Sequence, residues 1–254
     1  MLAAQAGHAL CVDSLLASRA EADRERSDGG SALMLAAQGG HQTRSRSASW
    51  SSARADVDLA DVEGRGALMY AVHYGHAAAA TSLLGAGAAV DQADASGWSP
   101  LLLAVQGGHL ALMGCLVGAR ASVDLEASGG ASPLRLAAAG GEAKAVALLL
   151  EGRACVEAVD GCGRSALVVA AMGGHREVTV QLLRSRACVD QAAQVGATAL
   201  GCAASAGYKE VVVSLLAARA SPNIKSTGGA TALELALQSG RHRVAEVLRE
   251  AGSA

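Results

Sequence analysis

The sequence predicts an all-α fold, a solenoid of helix-turn-helix units joined by hairpin-like fingers, and two observations predict it. First, a leucine recurs every 33 residues within the same short phrase, and these leucines are Leu68, Leu101, Leu134, Leu167, Leu200 and Leu233. Second, each period contains two apolar stretches with helical spacing, separated by glycine. Internal repeats of roughly 20 to 50 residues indicate stacked units, because one unit alone cannot bury its apolar face.

Residues 160–190 show the elements of one unit in chain order. Ser165 is a candidate N-cap, because its hydroxyl can accept a hydrogen bond from a free amide of the first turn. Apolar residues then follow with helical spacing at Leu167, Ala170 and Ala171. After Gly173-Gly174, which ends this helix, a second apolar face lies at Val178, Leu182 and Leu183. The stretch Arg186 to Asp190 leads into the next glycine turn and predicts an extended finger.

Two further features recur in phase with the leucines. A Gly-His pair separates the two predicted helices at His8, His41, His76, His109 and His175. A double leucine ends the second helix at Leu15-Leu16, Leu83-Leu84, Leu149-Leu150, Leu182-Leu183 and Leu215-Leu216. Together with glycine turns such as Gly97 to Leu101, this pattern resembles the ankyrin repeat over nearly the whole chain. The resemblance implies that each Gly-His histidine hydrogen-bonds within the turn between its own two helices.

The chain departs from the ankyrin pattern at two repeated positions. The usual histidine after the first-helix leucine is replaced by Met69, Leu102, Arg135, Val168, Gly201 and Glu234. The glycine that usually follows the second helix is replaced by Arg19, Arg54, Arg120, Arg153, Arg186 and Arg219, whereas Gly87 keeps it. That position is commonly left-handed, where a residue with a Cβ costs roughly 1 kcal/mol or more. Two interpretations of these arginines are open. They form a basic stripe along one edge of the array, or they are a habit of this protein's lineage in which an arginine near a helix C-terminus interacts favourably with the helix dipole.

The repeats divide the chain into an N-terminal region, 1–58, and six regular repeats with a polar C-terminal cap, 59–254. The first region begins inside a repeat, which suggests a fragment or an internal start. Its second helix is disrupted at 42–52, where no amphipathic helix can be drawn. We hypothesise a frame slip or a mis-joined exon in this segment, and an Arg/Ser tract open to phosphorylation in a disordered loop is the alternative. The cap carries Arg241, Arg243, Glu246, Arg249 and Glu250, as the end of an array requires.

Composition and charge argue against several classes of function. A net charge of -2 gives no electrostatic reason to expect nucleic acid as a partner. No apolar run reaches the roughly 18 to 20 residues that a membrane helix needs, so we expect no membrane insertion. The six cysteines have no metal-ligand spacing, and Cys155 and Cys188, one repeat apart, are too distant for a disulfide. We therefore expect a reducing location, the cytoplasm or alternatively the nucleus.

No residue pattern supports catalysis or a bound cofactor. The Gly-His histidines stand one repeat apart, whereas zinc needs its ligands at about 2.0 to 2.1 Å. His73 and His76 are separated by Gly75, which ends the helix between them. No Gly-Lys-Ser/Thr follows a glycine-rich loop, and nothing places a nucleophile beside a base. We expect no metal, no cofactor and no enzyme activity.

The ankyrin resemblance implies a surface that binds a partner protein. In such arrays the partner contacts the finger tips and the exposed end of the first helix. We expect these contacts from Glu63, Arg65, His73, Tyr74, Trp98, Gln106, Arg164 and Met172. Further positions on the same face are held by Val62, Ala95, Ser96, Gln194, Val195 and Ser205.

Tyr74 and Trp98 are the predicted anchors of this surface. Aromatic side chains dominate interface energies, and the chain has only two Trp and three Tyr. Trp98 has an alternative role, covering the turn of its neighbour, and we expect Tyr70 and Tyr208 to be packed. The predicted function is that of an adaptor, scaffold or targeting protein, acting as a monomer. Two alternatives stay open, the recognition arm of a larger enzyme or channel and a purely structural spacer.

Overall fold

The computed structural model describes residues 29–40 and 56–252, and every regular element in these ranges is an α-helix. From residue 67 onward the helices come in pairs, and a glycine-containing turn or a short polar turn joins the members of each pair. The chain divides into two compact units, 1–128 and 129–254, which are described separately below. The all-α repeat fold predicted from the 33-residue period is confirmed.

The described part of the first unit contains five helices. They are α1 (Ala32–Gln38), α2 (Ala67–His73), α3 (Ala77–Gly85), α4 (Pro100–Gln106) and α5 (Leu110–Gly118). First helices pack on first helices, so that α2 contacts both α1 and α4, while α3 contacts α5. Each pair also packs within itself, which produces the two layers expected for stacked repeats.

The second unit contains eight helices in its described part, arranged in the same two layers. The first helices are α6 (Pro133–Ala139), α8 (Ala166–Gly173), α10 (Ala199–Ala206) and α12 (Ala232–Gln238). The second helices are α7 (Ala143–Glu151), α9 (Arg176–Arg184), α11 (Lys209–Ala217) and α13 (His242–Gly252). Each helix packs on the equivalent helix of the adjacent repeat within the unit and on its own pair partner.

Hydroxyl side chains begin most of the first helices, as the sequence predicts. The cap oxygen accepts a hydrogen bond from the backbone N–H three residues later at Ser31, Ser99, Ser132, Ser165, Thr198 and Thr231. Gly66, before α2, has no side chain that could do this. An added Cβ at Gly66 would meet the side-chain oxygen of Gln92, so a residue with a side chain there would require Gln92 to move.

The arginines that follow the second helices adopt the left-handed backbone conformation. In the described part of the chain φ is 67° at Arg120, 66° at Arg153, 65° at Arg186 and 67° at Arg219, and Gly87 holds the same position with 94°. This confirms the prediction from the glycine pattern. A Cβ in this conformation costs roughly 1 kcal/mol, so each of these repeats is slightly less stable than one with glycine.

Small side chains fill the space between the helices. Ala71, Ala104, Ala170 and Ala203 are completely buried at the centre of their first helices. Their small size lets neighbouring helices approach closely, which suits a chain that has no Phe. Arg135 is an exception, because it is 5% exposed at a position that Met69 and Leu102 hold in other repeats.

Carboxylates join successive repeats within each unit. In each joint a side-chain oxygen accepts a hydrogen bond from the backbone N–H of the residue 31 positions later. The pairs are Asp58 with Ala89 (2.7 Å), Asp91 with Ser122 (2.9 Å), Glu157 with Cys188 (2.8 Å) and Asp190 with Ser221 (2.9 Å). An ionised acceptor makes these bonds stronger than neutral ones.

Several sequence predictions concern residues outside the described ranges. These are the disrupted segment 42–52, the histidines His8 and His41, and the arginines Arg19 and Arg54. The domain boundary after residue 58 also stays a prediction. Within residues 59–252 the structure describes six helix pairs. The charged residues of the proposed cap are exposed, with Arg241 just before the last helix, α13, and the others on it.

Candidate functional site

The finger at residues 60–66 is held by the carboxylate of Asp61. Its Oδ1 accepts the backbone N–H groups of Glu63 and Arg65, each at 2.9 Å. Its Oδ2 accepts the Nε–H of Arg65 at 3.0 Å and the hydroxyl of Tyr70 at 2.7 Å. Because the Asp61 side chain is only 4% exposed, these bonds are shielded from competing water. The finger tip is therefore fixed before any partner arrives.

These contacts shift the pKa values of two acidic groups. Burial opposes ionisation of Asp61, but hydrogen bonds from Tyr70 and Arg65 outweigh it and lower the pKa below its usual 3.8. Burial and the hydrogen bond to Asp61 raise the pKa of Tyr70 to about 12. At neutral pH the carboxylate is ionised and the phenol keeps its proton, so acceptor and donor are matched.

Glu63 and Arg65, two of the predicted contacts, are paired with each other. One guanidinium nitrogen of Arg65 lies 2.9 Å from Glu63 Oε2, and the other lies 3.0 Å from Asp61 Oδ2. The guanidinium carbon also stands 5.1 Å from the centre of the Tyr70 ring. The Glu63 side chain is 62% exposed and that of Arg65 is 38% exposed. A partner would therefore meet a fixed ion pair rather than a mobile arginine.

Tyr74 lies at the end of α2 and is 47% exposed. Its hydroxyl accepts a hydrogen bond from Nε2 of Gln38 at 3.1 Å. The ring meets His73 edge-on at 4.9 Å between centroids and stacks against His76 at 6.3 Å. The structure thus brings His73 and Tyr74 together, as an aromatic cluster whose geometry is set on three sides.

Trp98 lies in the following finger and is half-buried. Asp94 holds this turn, because its Oδ1 accepts the backbone N–H groups of Ser96 and Trp98, each at 2.9 Å. Partial exposure is compatible with an anchor and with a residue that covers a neighbouring turn, so both interpretations stay open. Gln106, the last residue of α4, is exposed.

Arg164 and Met172, the remaining predicted contacts, belong to the second unit. Oδ1 of Asp160 accepts the backbone N–H groups of Cys162 and Arg164 at 2.9 Å, and its Oδ2 accepts the Arg164 Nε–H at 2.8 Å. Burial opposes ionisation of Asp160, but the hydrogen bonds from Arg164 prevail and lower its pKa. Met172 is 46% exposed near the end of α8. Asp160 therefore holds Arg164 with the same bonds by which Asp61 holds Arg65.

The Gly-His histidines bind differently from the expectation. Nε2 of His76 donates to the carbonyl oxygen of Gln38 at 3.0 Å, and Nε2 of His175 donates to that of Ala139 at 2.9 Å. Both acceptors belong to the preceding repeat, so the expected bond within the histidine's own turn is wrong. A histidine ring is long enough to reach the neighbouring helix end, where the last carbonyls have no partner within their helix. Tyr208 replaces this histidine, and its ring lies against Gly174.

Sequence reasoning missed three residues that shape this surface. Asp61 and Tyr70 fix Arg65, and Gln38 fixes the hydroxyl of Tyr74. The Asp-to-Arg spacing of four residues recurs at 160–164 and was a usable signal. Nothing in the sequence links Gln38 to a tyrosine 36 residues later, because that contact depends on how two repeats stack.

Within residues 29–40 and 56–252, no three side chains of histidine, cysteine or carboxylate type are placed to hold a metal ion. In the same part of the chain no helix has the length and apolar character needed to cross a bilayer.

Stacked pairs of helices joined by fingers define a helical repeat protein. The family model for ankyrin repeats (3 copies) matches residues 1–94, 50–127, 68–160, 101–193, 134–226 and 179–254. Because these overlapping matches cover the whole length, the chain belongs to the ankyrin repeat family, as the motifs predict. No curated protein matches the chain. Ankyrin repeats are general protein–protein interaction modules.

Proposed function

We propose that this chain binds a partner protein and acts as an adaptor, scaffold or targeting protein. One observation carries the proposal: Tyr74 is 47% exposed, yet three neighbours hold its ring and hydroxyl. Tyrosine is enriched among the residues that dominate binding energies. A side chain that is already ordered loses little entropy when a partner binds. Tyr74 is therefore the proposed central contact.

The other predicted contacts supply polar recognition in this proposal. His73 touches Tyr74 directly and presents a ring nitrogen, and the ion pair of Glu63 with Arg65 offers both charges at a rigid finger tip. Trp98 and Gln106 extend the first-unit surface, and Arg164 and Met172 are proposed contacts on the second unit, considered by itself. Within each unit the proposed contacts lie on folded repeats, so binding does not first require the unit to fold.

In this proposal the protein is a monomer, has no enzyme activity and is located in the cytoplasm or the nucleus. Cys162 and Cys188 are exposed thiols in the second unit, and such thiols persist best in a reducing compartment. Light scattering on the purified chain measures the mass in solution. A measured mass of twice that of one chain would contradict the proposal that the protein is a monomer.

Affinity capture with the full chain tests the binding function. Tyr74→Ala removes the central contact from the surface, and Val213→Ala serves as a matched control, because Val213 is 46% exposed on the second helix α11. We expect a protein that the wild type and Val213→Ala retain and that Tyr74→Ala loses. Circular dichroism must show the same helix content for all three proteins.

Two results contradict this proposal in different ways. A protein retained equally by Tyr74→Ala and by the wild type would place the binding surface elsewhere. The absence of any protein specific to the wild type would favour a structural spacer. Trp98→Ala, tested in parallel, decides between its two interpretations, because a cover for a turn affects stability and leaves capture unchanged.

A further inference from the structure

The turn between α12 and α13, in the second unit, carries a run of basic side chains. Arg241, His242 and Arg243 follow Ser239 and Gly240, and all five residues are exposed. Among the corresponding turns that the structure describes, at 76–78, 109–111, 142–144, 175–177 and 208–210, none holds two arginines. The turn therefore has a local positive charge that the net charge of -2 for the whole chain does not predict.

Arg241 occupies the position of the Gly-His histidines and makes the same kind of contact. Its Nε–H donates to the carbonyl oxygen of Ser205, in the preceding repeat, at 3.2 Å, as the ring of His175 does to that of Ala139. A guanidinium has several N–H donors, so this bond leaves the two terminal nitrogens of Arg241 available. No carboxylate among residues 29–40 and 56–252 forms an ion pair with Arg241 or Arg243. Both arginines can therefore bind an anion.

The hydroxyl of Ser239 lies beside this guanidinium. Its Oγ is 3.1 Å from Oγ of Ser205, the residue whose carbonyl oxygen binds Arg241. A side chain added at Gly240 would meet no atom within 4 Å, so the turn projects into solvent and another protein can reach the hydroxyl. Ser239 thus combines an accessible oxygen with a cation held close to it.

The surroundings of the turn leave its positive charge in excess. Because α12 ends and α13 begins here, the opposite partial charges of the two helix ends offset each other. On the neighbouring helix α11, the exposed first residues Lys209 and Glu210 also offset each other. On α13, Glu246 comes three residues after Arg243. Two guanidinium groups and a histidine are thus opposed by one carboxylate.

We propose that Ser239 is a phosphorylation site and that Arg241 and Arg243 bind its phosphoryl group. A protein kinase transfers the γ-phosphoryl group of ATP: the serine oxygen forms the new bond to phosphorus, the bond to ADP breaks, and the hydroxyl proton passes to a base of the kinase. The kinase belongs to the class that selects arginine after the acceptor, because kinases distinguish substrates by their charge pattern. This regulation goes beyond the proposed function and does not depend on it.

The turn suits a phosphoserine better than it suits a serine. Phosphoserine carries a charge of about −1.5 to −2 at neutral pH and offers three acceptor oxygens. Arginine binds phosphate through paired N–H groups, and such charge-assisted bonds are stronger than the present contact between two serine hydroxyls. The modified residue therefore links the end of α12 to the start of α13.

Mapping of phosphorylated residues in the full chain, recovered from its source cells with phosphatases inhibited, tests the modification. We expect phosphate on Ser239 and none on Ser128, an exposed serine whose nearest arginines are seven or more residues away. Arg243→Gln should reduce the phosphorylated fraction of Ser239, because it removes part of the charge that the kinase recognises. A chain without phosphate on Ser239 overturns the proposal, whether or not other serines carry it.

Phosphoserine incorporated at position 239 during translation tests whether the arginines bind it. The second ionisation of phosphoserine has a pKa of about 6, and phosphorus-31 NMR follows it directly. We expect this pKa to lie roughly one unit lower at position 239 than in a chain with phosphoserine at position 128, because nearby guanidinium groups stabilise the dianion. Replacing Arg241 and Arg243 together with Gln should remove most of the difference.

The single variant Arg243→Gln covers the case in which the double variant fails to fold. In the part of the chain that the structure describes, the Arg243 side chain makes no hydrogen bond or ion pair that the fold would lose, and circular dichroism compares the helix content. Equal pKa values at positions 239 and 128, or a lowered value that Arg243→Gln leaves unchanged, would overturn the role of the arginines. Neither measurement involves a partner protein, so a failure here leaves the capture experiment with Tyr74→Ala unaffected.

Discussion

The fingers at 61–65 and 160–164 have the same backbone turn with different surroundings. In both, one carboxylate oxygen accepts two backbone N–H groups at 2.9 Å and the other accepts the Nε–H of the arginine four residues later. The first finger adds the hydroxyl of Tyr70 and the carboxylate of Glu63. The second has Val169 and Cys162 at those two positions.

Comparing the two fingers distinguishes the contacts that shape the backbone turn from the contacts that hold the arginine side chain. One aspartate is enough to shape the turn, because the backbone bonds are the same in both fingers. The additional side chains change how the arginine is held: Arg65 has a second carboxylate and an aromatic ring, whereas Arg164 shows its ion pair with Asp160. The two fingers therefore provide a natural pair for measuring what each added contact contributes.

The largest expected effect is the loss of the carboxylate itself. Asp61→Ala should lower the free energy of unfolding by about 3 kcal/mol and Asp160→Ala by about 2 kcal/mol, because the first change leaves an additional buried donor unpaired. Urea denaturation followed by far-UV circular dichroism measures both, with an analysis suited to repeat arrays. Equal losses would show that Tyr70 adds nothing to the first finger.

Acid should weaken both fingers. The pKa values of Asp61 and Asp160 are below the usual 3.8 in the folded protein, so their stabilising contribution is present above that value and disappears as the pH falls through the folded pKa values. Replacing both with Asn should make the free energy of unfolding fall less steeply below about pH 4. Denaturation curves across the acidic range test this, and an unchanged slope would contradict it.

Tyr70→Phe should cost about 1 kcal/mol, because it removes the hydroxyl that donates to Asp61 and keeps the ring. The pKa of Tyr70 is raised from 10.0 to about 12, so its contribution is complete below pH 10 and is lost as the pH rises towards 12. The variant should lack this alkaline loss of stability, and Tyr208→Phe should retain it. Urea denaturation at neutral and alkaline pH distinguishes the two.

The smallest effects concern the exposed ion pair. Glu63→Gln should cost no more than about 0.5 kcal/mol, and Cys162→Glu should add a similar amount by giving Arg164 the partner that Arg65 already has. Both changes should vanish in high salt, because surface ion pairs are screened. Unfolding free energies at low and high NaCl concentration provide the measurement; a salt-independent difference would mean that something other than charge is involved.

The repeat period predicted the fold well because the residues that recur with it act on nearby backbone, as helix caps and turn residues do. Ser165 caps its helix and Arg186 takes the left-handed conformation, and both depend mainly on neighbours in sequence. Contacts between repeats were harder to foresee. His76 reaches Gln38 rather than its own turn, which depends on the distance between stacked helices and not on any sequence spacing.

For the proposed contacts, the sequence could predict exposure but not the pairing of side chains, and their role in binding stays a prediction. Tyr74 and Met172 are exposed where the family pattern places contacts. The pairing of Arg65 with Asp61 and Glu63 requires side chains from three positions to meet, and the sequence shows only that they are near. The sequence shows that Gly201 departs from the repeat pattern. It does not show whether neighbouring side chains occupy the space that a larger residue would fill, because that depends on packing across two repeats.

The carboxylate joints between repeats place very little demand on the residue that follows. Asp91 and Asp190 each bind the backbone N–H of a serine, whereas Asp58 binds that of an alanine and Glu157 that of a cysteine. This joint therefore requires a carboxylate in one repeat and only a backbone N–H, which every residue except proline offers, in the next.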